Sequence, residues 1–157
     1  MIQPDRFTAS YPHPFVVFLV GVRINKPWKV HKWVPIALAL SRMLKELSRH
    51  PEAGLLSGEM WFGRTLILLQ YWRSLELLLA YANNKEASHF PAGQAFNDAI
   101  GTSGDVGLWH ETYIVSPGAY ENIYINMPPF GLGKVGNLHK IPADLRTAEA
   151  RIKAARE

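Results

Sequence analysis

Residues 15–23 read Phe-Val-Val-Phe-Leu-Val-Gly-Val-Arg, and the fold turns on how that run is housed. It is rich in β-branched and aromatic side chains and too short for a free-standing helix, which makes it a strand. Polar and apolar residues do not alternate along it. A strand with one wet face alternates, so this one needs cover on both faces. The apolar run ends at Val22, far short of the roughly 20 residues of a membrane span. Asp5 and Arg6 precede it and Arg23 follows it, where a secretory leader would have a small-residue cleavage site. A soluble, cytoplasmic protein is expected.

Working outward, Trp33, Ile36, Leu40, Met43, Leu44 and Leu47 recur at helical spacing and predict a helix over 31–50, with Pro35 tolerated only in its first turn. Residues 55–61 and 65–72 read as two strands joined through Phe62-Gly63-Arg64, a link short enough for an antiparallel hairpin. Ser74 is a candidate N-cap for a helix to about residue 83, with Glu76 in its first turn. A further helix is expected over 89–100. Residues 107–115 and 121–127 are predicted strands. The stretch 128–143, rich in Gly and Pro, reads as an ordered arm rather than an element. Residues 144–157 form a short polar helix.

The order of elements gives an α+β class with one antiparallel sheet and its helices on one face. Residues 1–143 make one domain, arm included. One face of the sheet goes to the helices, and a second copy of the same sheet is the simplest cover for the other. A symmetric homodimer follows from the 15–22 pattern alone.

Of the 157 residues, 48% are hydrophobic, enough for a real core and too many for a disordered chain. Cysteine is absent, which excludes disulfides, thiolate nucleophiles and Cys-based metal sites. The net charge of +4 is lopsided: residues 1–50 hold eight Lys/Arg against two acids. Arg23, Lys26, Lys29 and Lys32 with Trp28 and Trp33 could contact nucleic acid. The same residues equally describe a solvated loop and first helical turn, and no nucleic-acid motif supports the first reading.

Candidate chemistry lies on the two late strands. By alternation, Leu108, His110, Thr112 and Ile114 share one face of 107–115, and Trp109, Glu111, Tyr113 and Val115 the other. Asn122, Tyr124 and Asn126 share a face of the next strand. Polar groups on strands that should be buried either bond one another or point into a pocket. The six His show no metal-ligand spacing. His110 is a candidate proton shuttle. His89, at a helix start, is structural unless it faces the cavity, where it would act as an acid/base or an axial haem ligand. Gly131-Leu132-Gly133-Lys134 is not a phosphate loop, because Val135 stands where Ser or Thr should be. No GxGxxG or GxSxG pattern occurs, so Rossmann and serine-hydrolase chemistry are disfavoured.

Gln70-Tyr71-Trp72-Arg73-Ser74-Leu75-Glu76, Leu79-Ala80-Tyr81, His89-Phe90 and Phe96 together resemble the strand-to-helix core of the antibiotic-biosynthesis monooxygenases. Many relatives carry His near Tyr81, and this chain departs there. Asn25-Lys26-Pro27-Trp28-Lys29, Gly63-Arg64-Thr65, Trp109-His110-Glu111-Thr112-Tyr113, Tyr120-Glu121 and Asn126-Met127-Pro128-Pro129-Phe130-Gly131-Leu132-Gly133 narrow the resemblance to a subfamily typified by a fungal fumagillin-pathway monooxygenase. The similarity runs over about 15–137.

The resemblance implies a dimeric α+β barrel built on a ferredoxin-like chain, with a pocket between helices and sheet. It also implies oxygenation of an apolar polyketide- or terpenoid-like small molecule by O₂, without metal or flavin. In that mechanism a base forms a substrate anion, the anion reduces O₂ by one electron, and the radical pair recombines. His110 is the expected base, with Glu111 a poorer candidate and His89 a further one. Tyr124 and Asn126 are the expected oxyanion donors. Asn25, Trp28, Trp72, Phe96, Trp109 and Tyr113 are expected at the wall or mouth. Arg64 either pairs with a substrate carboxylate or forms an ion pair with Glu59 or Glu111. The partners are a second copy, the substrate and O₂, with neither nucleic acid nor membrane. Two alternatives stand beside this: haem-dependent chemistry in the same fold, and a non-catalytic barrel that binds a small molecule.

Overall fold

The computed structural model describes residues 2–85, 93, 97, 101 and 103–156. The chain opens with strand β1 (Gln3–Ser10), and the apolar run follows as β2 (Phe15–Ile24). Helix α1 (Val30–Arg49), strands β3 (Leu55–Trp61) and β4 (Thr65–Trp72), and helix α2 (Leu75–Ala82) come next. Strands β5 (Val106–Val115), β6 (Tyr124–Met127) and β7 (Asn137–Lys140) and helix α3 (Ala148–Ala154) complete the described elements. Ser74 caps α2 as expected, its Oγ accepting from the Leu77 N–H at 3.3 Å.

β2 lies inside a four-stranded antiparallel sheet of order β3-β4-β2-β5. The hairpin β3–β4 folds back so that β4 sits between the two strands that α1 connects. That split βαβ order is the ferredoxin-like fold, and its class is α+β.

Register settles which residues share a face. Even-numbered residues of β2, β4 and β5 face the helices; in β4, Leu66, Leu68, Gln70 and Trp72 are all buried while Thr65, Ile67, Leu69 and Tyr71 are half-buried. Val22, Ile24, Leu66 and Val106 pack against Ile36 and Ala37 of α1, and Val16 and Trp72 against Leu47 and Leu78. Leu44 of α1 lies on Gly58, where any Cβ would collide with it.

The opposite face is covered differently from the expectation of a single sheet. A second, three-stranded sheet of order β6-β1-β7 packs over one end of it, burying Phe15 and Leu132 together with Val17, Tyr71, Tyr120 and Tyr124. Residues 3–10 carried no expected element, and they are the centre of this sheet. Residues 128–143, expected as an ordered arm without elements, hold a 3₁₀ turn at Gly131–Lys134 and strand β7, which pairs with β1 from Phe7↔Lys140 to Ser10↔Asn137. Strand β6 starts at Tyr124 rather than 121 and pairs with β1, not with the main sheet. Where its backbone pairing ends, Asn122 continues the ladder with its side chain, accepting from the Ala9 N–H at 2.7 Å and donating to the Ala9 carbonyl at 2.9 Å. The C-terminal helix is shorter than expected and tied down. Arg151 is buried, ion-paired with Glu121, and donates to the carbonyls of Leu145 and Arg146.

The basic loop after β2 is anchored by a single carboxylate. Asp105 is 3% exposed and receives Lys26 at 2.6 Å and Lys29 at 2.7 Å; its carbonyl accepts from the N–H groups of Asn25 and Lys26. Hydrogen bonds from the two lysines hold the Asp105 carboxyl down at about 2, against roughly 3.9 in an unfolded chain. A depressed carboxylate contributes stability above its unfolded value and loses it as pH falls through the folded one. The melting temperature is therefore expected to drop between pH 4 and pH 2 more steeply in the wild type than in Asp105→Asn, measured by circular dichroism; parallel curves would contradict the assignment.

Candidate functional site

Two surfaces of the main sheet carry the chemistry-bearing residues, and the pleat assigns each residue to one of them. On the helix side, His110 of β5 is paired with Val20, and its ring lies 5.9 Å from that of Phe18. His110 is exposed, flanked on its own strand by Leu108 at 50% and Ile114 at 66% exposure. Phe18 is paired on its other side with Gln70 of β4. Gln70 is 1% exposed, and its Oε1 accepts from Trp72 Nε1 at 2.9 Å. Among the described residues its Nε2 has no hydrogen-bond partner, a state that costs about 1–3 kcal/mol for a buried donor. Tyr81 packs its ring 5.6 Å from Trp72, and burial, with a smaller push from Glu46, raises its hydroxyl well above the usual range.

The open face is arranged in cross-strand rows. Glu59, Leu69, Leu19 and Glu111 form one row; Trp61, Ile67, Gly21 and Trp109 form the next. The floor is thus apolar, with a carboxylate and a tryptophan at each edge. Gly21 is required here because a Cβ would fall inside the Trp109 indole. Tyr113 donates its hydroxyl proton to Glu111 Oε2 at 2.6 Å, which raises the Tyr113 pKa. Glu59 is ion-paired with Lys134 of the 3₁₀ turn. That turn also takes up the buried tyrosines: the Gly133 N–H donates to Tyr124 Oη at 3.0 Å, and burial raises both Tyr124 and Tyr71.

The expected site residues therefore separate. His110 lies on the helix side; Trp109, Glu111 and Tyr113 lie on the open face, and Tyr124 lies in the cluster that covers its end. The sheet stands between the expected base and the expected oxyanion donor Tyr124. Asn126 is exposed with φ of 53° at the exit from β6. Trp72 is fully buried in the helix-side core. Asn25 donates to the Gly104 carbonyl at 3.0 Å, and Trp28 is 73% exposed. Arg64 is exposed, while Glu59 and Glu111 are taken up by Lys134 and Tyr113. His89 and Phe96 lie outside the described residues, as does all of the helix expected over 89–100 except Gly93 and Asn97. The sequence reading did not single out Gln70, although a carboxamide on the buried face of Thr-Leu-Ile-Leu-Leu-Gln-Tyr-Trp is a visible signal. Among the described residues no group of His, Asp and Glu is placed to hold a metal ion, and no helix is long and apolar enough to cross a membrane.

Fold and faces define a small ferredoxin-like α+β protein with an imidazole and a buried carboxamide on one side of its sheet. The chain belongs to the monooxygenase af470-like family, whose pattern matches residues 15–132. It is 30% identical over 128 residues to monooxygenase af470 of Aspergillus fumigatus, covering 76% of this chain and 45% of that protein. Among solved structures, an aldoxime dehydratase crystallised with butyraldoxime superposes with a TM-score of 0.68 at 17% identity, over 85% of this chain and 41% of its own. The chain spans less than half the length of either. The family match leaves out β1, β7 and α3, so two strands of the second sheet are contributed by the chain outside it.

Adding a methyl group at position 21 must expel the Trp109 indole. Overpacking of this kind costs about 1–3 kcal/mol. Gly21→Ala is expected to lower the urea midpoint and shift tryptophan emission to the red; unchanged emission and midpoint would show that Trp109 does not lie over Gly21.

Proposed function

We propose that this protein is a monooxygenase-like enzyme that oxygenates an apolar, polyketide- or terpenoid-like carbonyl compound on the helix side of its sheet, without a resident metal or flavin. The observation that carries the reading is His110 beside Phe18, an imidazole on a strand face it shares with Leu108, Thr112 and Ile114, in a chain of this family.

A neutral imidazole is a suitable base near neutral pH. It removes a proton from a carbon next to the substrate carbonyl. The resulting carbanion passes one electron to O₂, giving a substrate radical and superoxide. These combine to a peroxide anion, which recovers the proton from the imidazolium, and loss of water from the resulting hydroperoxide leaves one oxygen atom on that carbon as a new carbonyl; substrate plus O₂ thus becomes oxygenated product plus water, with atoms and charge conserved. The protein contributes position and the base.

A homodimer belongs to the same proposal. The second sheet covers one end of the open face, and Leu19, Ile67, Leu69 and Trp109 remain half-buried beyond it, edged by Trp61 at 42% and Tyr113 at 49% exposure. A second copy is the cover that fits such a strip. Nucleic acid is not among the proposed partners; Lys26 and Lys29 are held by the Asp105 carboxylate.

His110→Ala is expected to lower kcat/KM for oxygen uptake with an acidic-C–H ketone such as 2-tetralone by at least about tenfold. Because His110 is exposed, the melting temperature should hardly change. Unchanged kcat/KM would reject His110 as base.

A further inference from the structure

We infer that the groove between α1 and β3 is a binding site for an apolar chain ending in a carboxylate, such as a medium-chain fatty acid. It lies at the edge of the main sheet opposite β5 and His110, with β4 and β2 between, so it is independent of the proposed oxygenation. The groove has a volume of about 700 Å³, within the range of small-molecule sites, roughly 300–1,000 Å³. Its floor is apolar: Leu47 is 1% exposed, and Leu44 and Leu55 are half-buried beside it. Leu44 sits where a side chain at Gly58 would be, so the strand contributes only backbone at the middle of its wall. At the far end the Ser41 hydroxyl reaches the Met60 sulfur at 3.6 Å. β3 is an edge strand, and among the described residues no other strand pairs with its outer side.

The rim sets the sign of the ligand. Lys45 is the one charged residue lining the groove, and no Asp or Glu lines it. Lys45 is exposed, and among the described residues it has no acidic partner. Arg42 and Arg49 stand three and four residues from it on α1, a spacing at which like charges repel and disfavour the helix. Glu46, the nearest acid in sequence, lines a different cavity with Tyr81 of α2. The hydroxyl protons of Ser41 and Ser48 go to carbonyls of their own helix, Ala37 at 3.0 Å and Lys45 at 2.8 Å, which leaves the Lys45 ammonium as the charged donor for a head group. A lysine at a rim keeps its ammonium in water while its stem covers apolar surface. A carboxylate therefore meets it at the mouth of the groove, with the attached chain laid over Leu44, Leu47 and Leu55. The shape fits a chain: from Leu55 to Met60 the strand runs about 17 Å at the usual rise per residue. Phe62, 68% exposed, extends the apolar wall past Met60.

Isothermal titration with octanoate, octan-1-ol and octylammonium, three chains of equal length that differ in head-group charge, tests this. The wild type is expected to bind octanoate about fivefold more tightly than octan-1-ol, the upper worth of an exposed ion pair, and octylammonium most weakly. Lys45→Glu is expected to remove the preference, so that octanoate binds no more tightly than octan-1-ol. Octan-1-ol needs no charged partner, so its unchanged affinity reports an intact groove. Glu at position 45 would face Arg42 and Arg49 with opposite charge, so the substitution does not weaken the helix. Lys153→Glu on α3 changes the net charge equally and is expected to leave the wild-type order in place. Saturating octanoate is expected to leave the sedimentation mass of the wild type unchanged. A preference for octanoate that survives Lys45→Glu, or that Lys153→Glu also removes, would overturn the inference. So would equal wild-type affinity for octanoate and octan-1-ol, or no binding of any of the three. A sedimentation mass lowered by octanoate would overturn it too, by making a second copy the occupant of the groove.

Discussion

Strand β2 has no side that belongs in water, and the rest of the molecule is arranged around that constraint. Its even residues are met by α1, where Val16, Val22 and Ile24 are buried. Its odd residues are met only in part. The second sheet covers Phe15 and Val17, and Leu19 is left half-buried on the open face. At roughly 25 cal/mol per Å² of apolar surface removed from water, covering both faces of one ten-residue strand is among the larger stabilising terms available to a chain this size.

The same pleat divides the chemistry. Neighbours in sequence on a strand point to opposite faces, so His110 and Glu111 belong to different surfaces whatever their shared motif suggests. The carboxylates of the open face are each given a partner, Glu59 by Lys134 and Glu111 by Tyr113. On the helix side the polar groups in the core are fewer, and the Gln70 amide nitrogen has no hydrogen-bond partner among the described residues. An open face with matched charges suits contact between copies.

Most of the main sheet was legible because burial there is one-sided or complete. The strands at 15–23, 55–61, 65–72 and 107–115 and the helix at 31–50 fall within one residue of the observed bounds, since each carries its own local signal, an unbroken β-branched and aromatic run at 15–22 and helical spacing at 31–50. The second sheet was not legible. Gln-Pro-Asp-Arg-Phe-Thr-Ala-Ser of β1 is largely polar and Asn-Leu-His-Lys of β7 is polar and short, and their pairing joins opposite ends of the chain, with β6 on the other side of β1. For the same reason Asn122 and Tyr124 stayed ambiguous: their partners are the backbone of Ala9 and of Gly133, which no local pattern announces. Gln70 was read only as part of the family motif 70–76 and given no role of its own, because nothing local shows that Trp72 is its partner.

The proposed homodimer covers the part of the odd face of β2 that the second sheet leaves open, around Leu19. Sedimentation equilibrium at micromolar concentration tests it most directly. The account predicts a particle of twice the 17.7 kDa chain mass, reverting to a monomer in Leu19→Glu. A stable particle of 17.7 kDa in the wild type would contradict it.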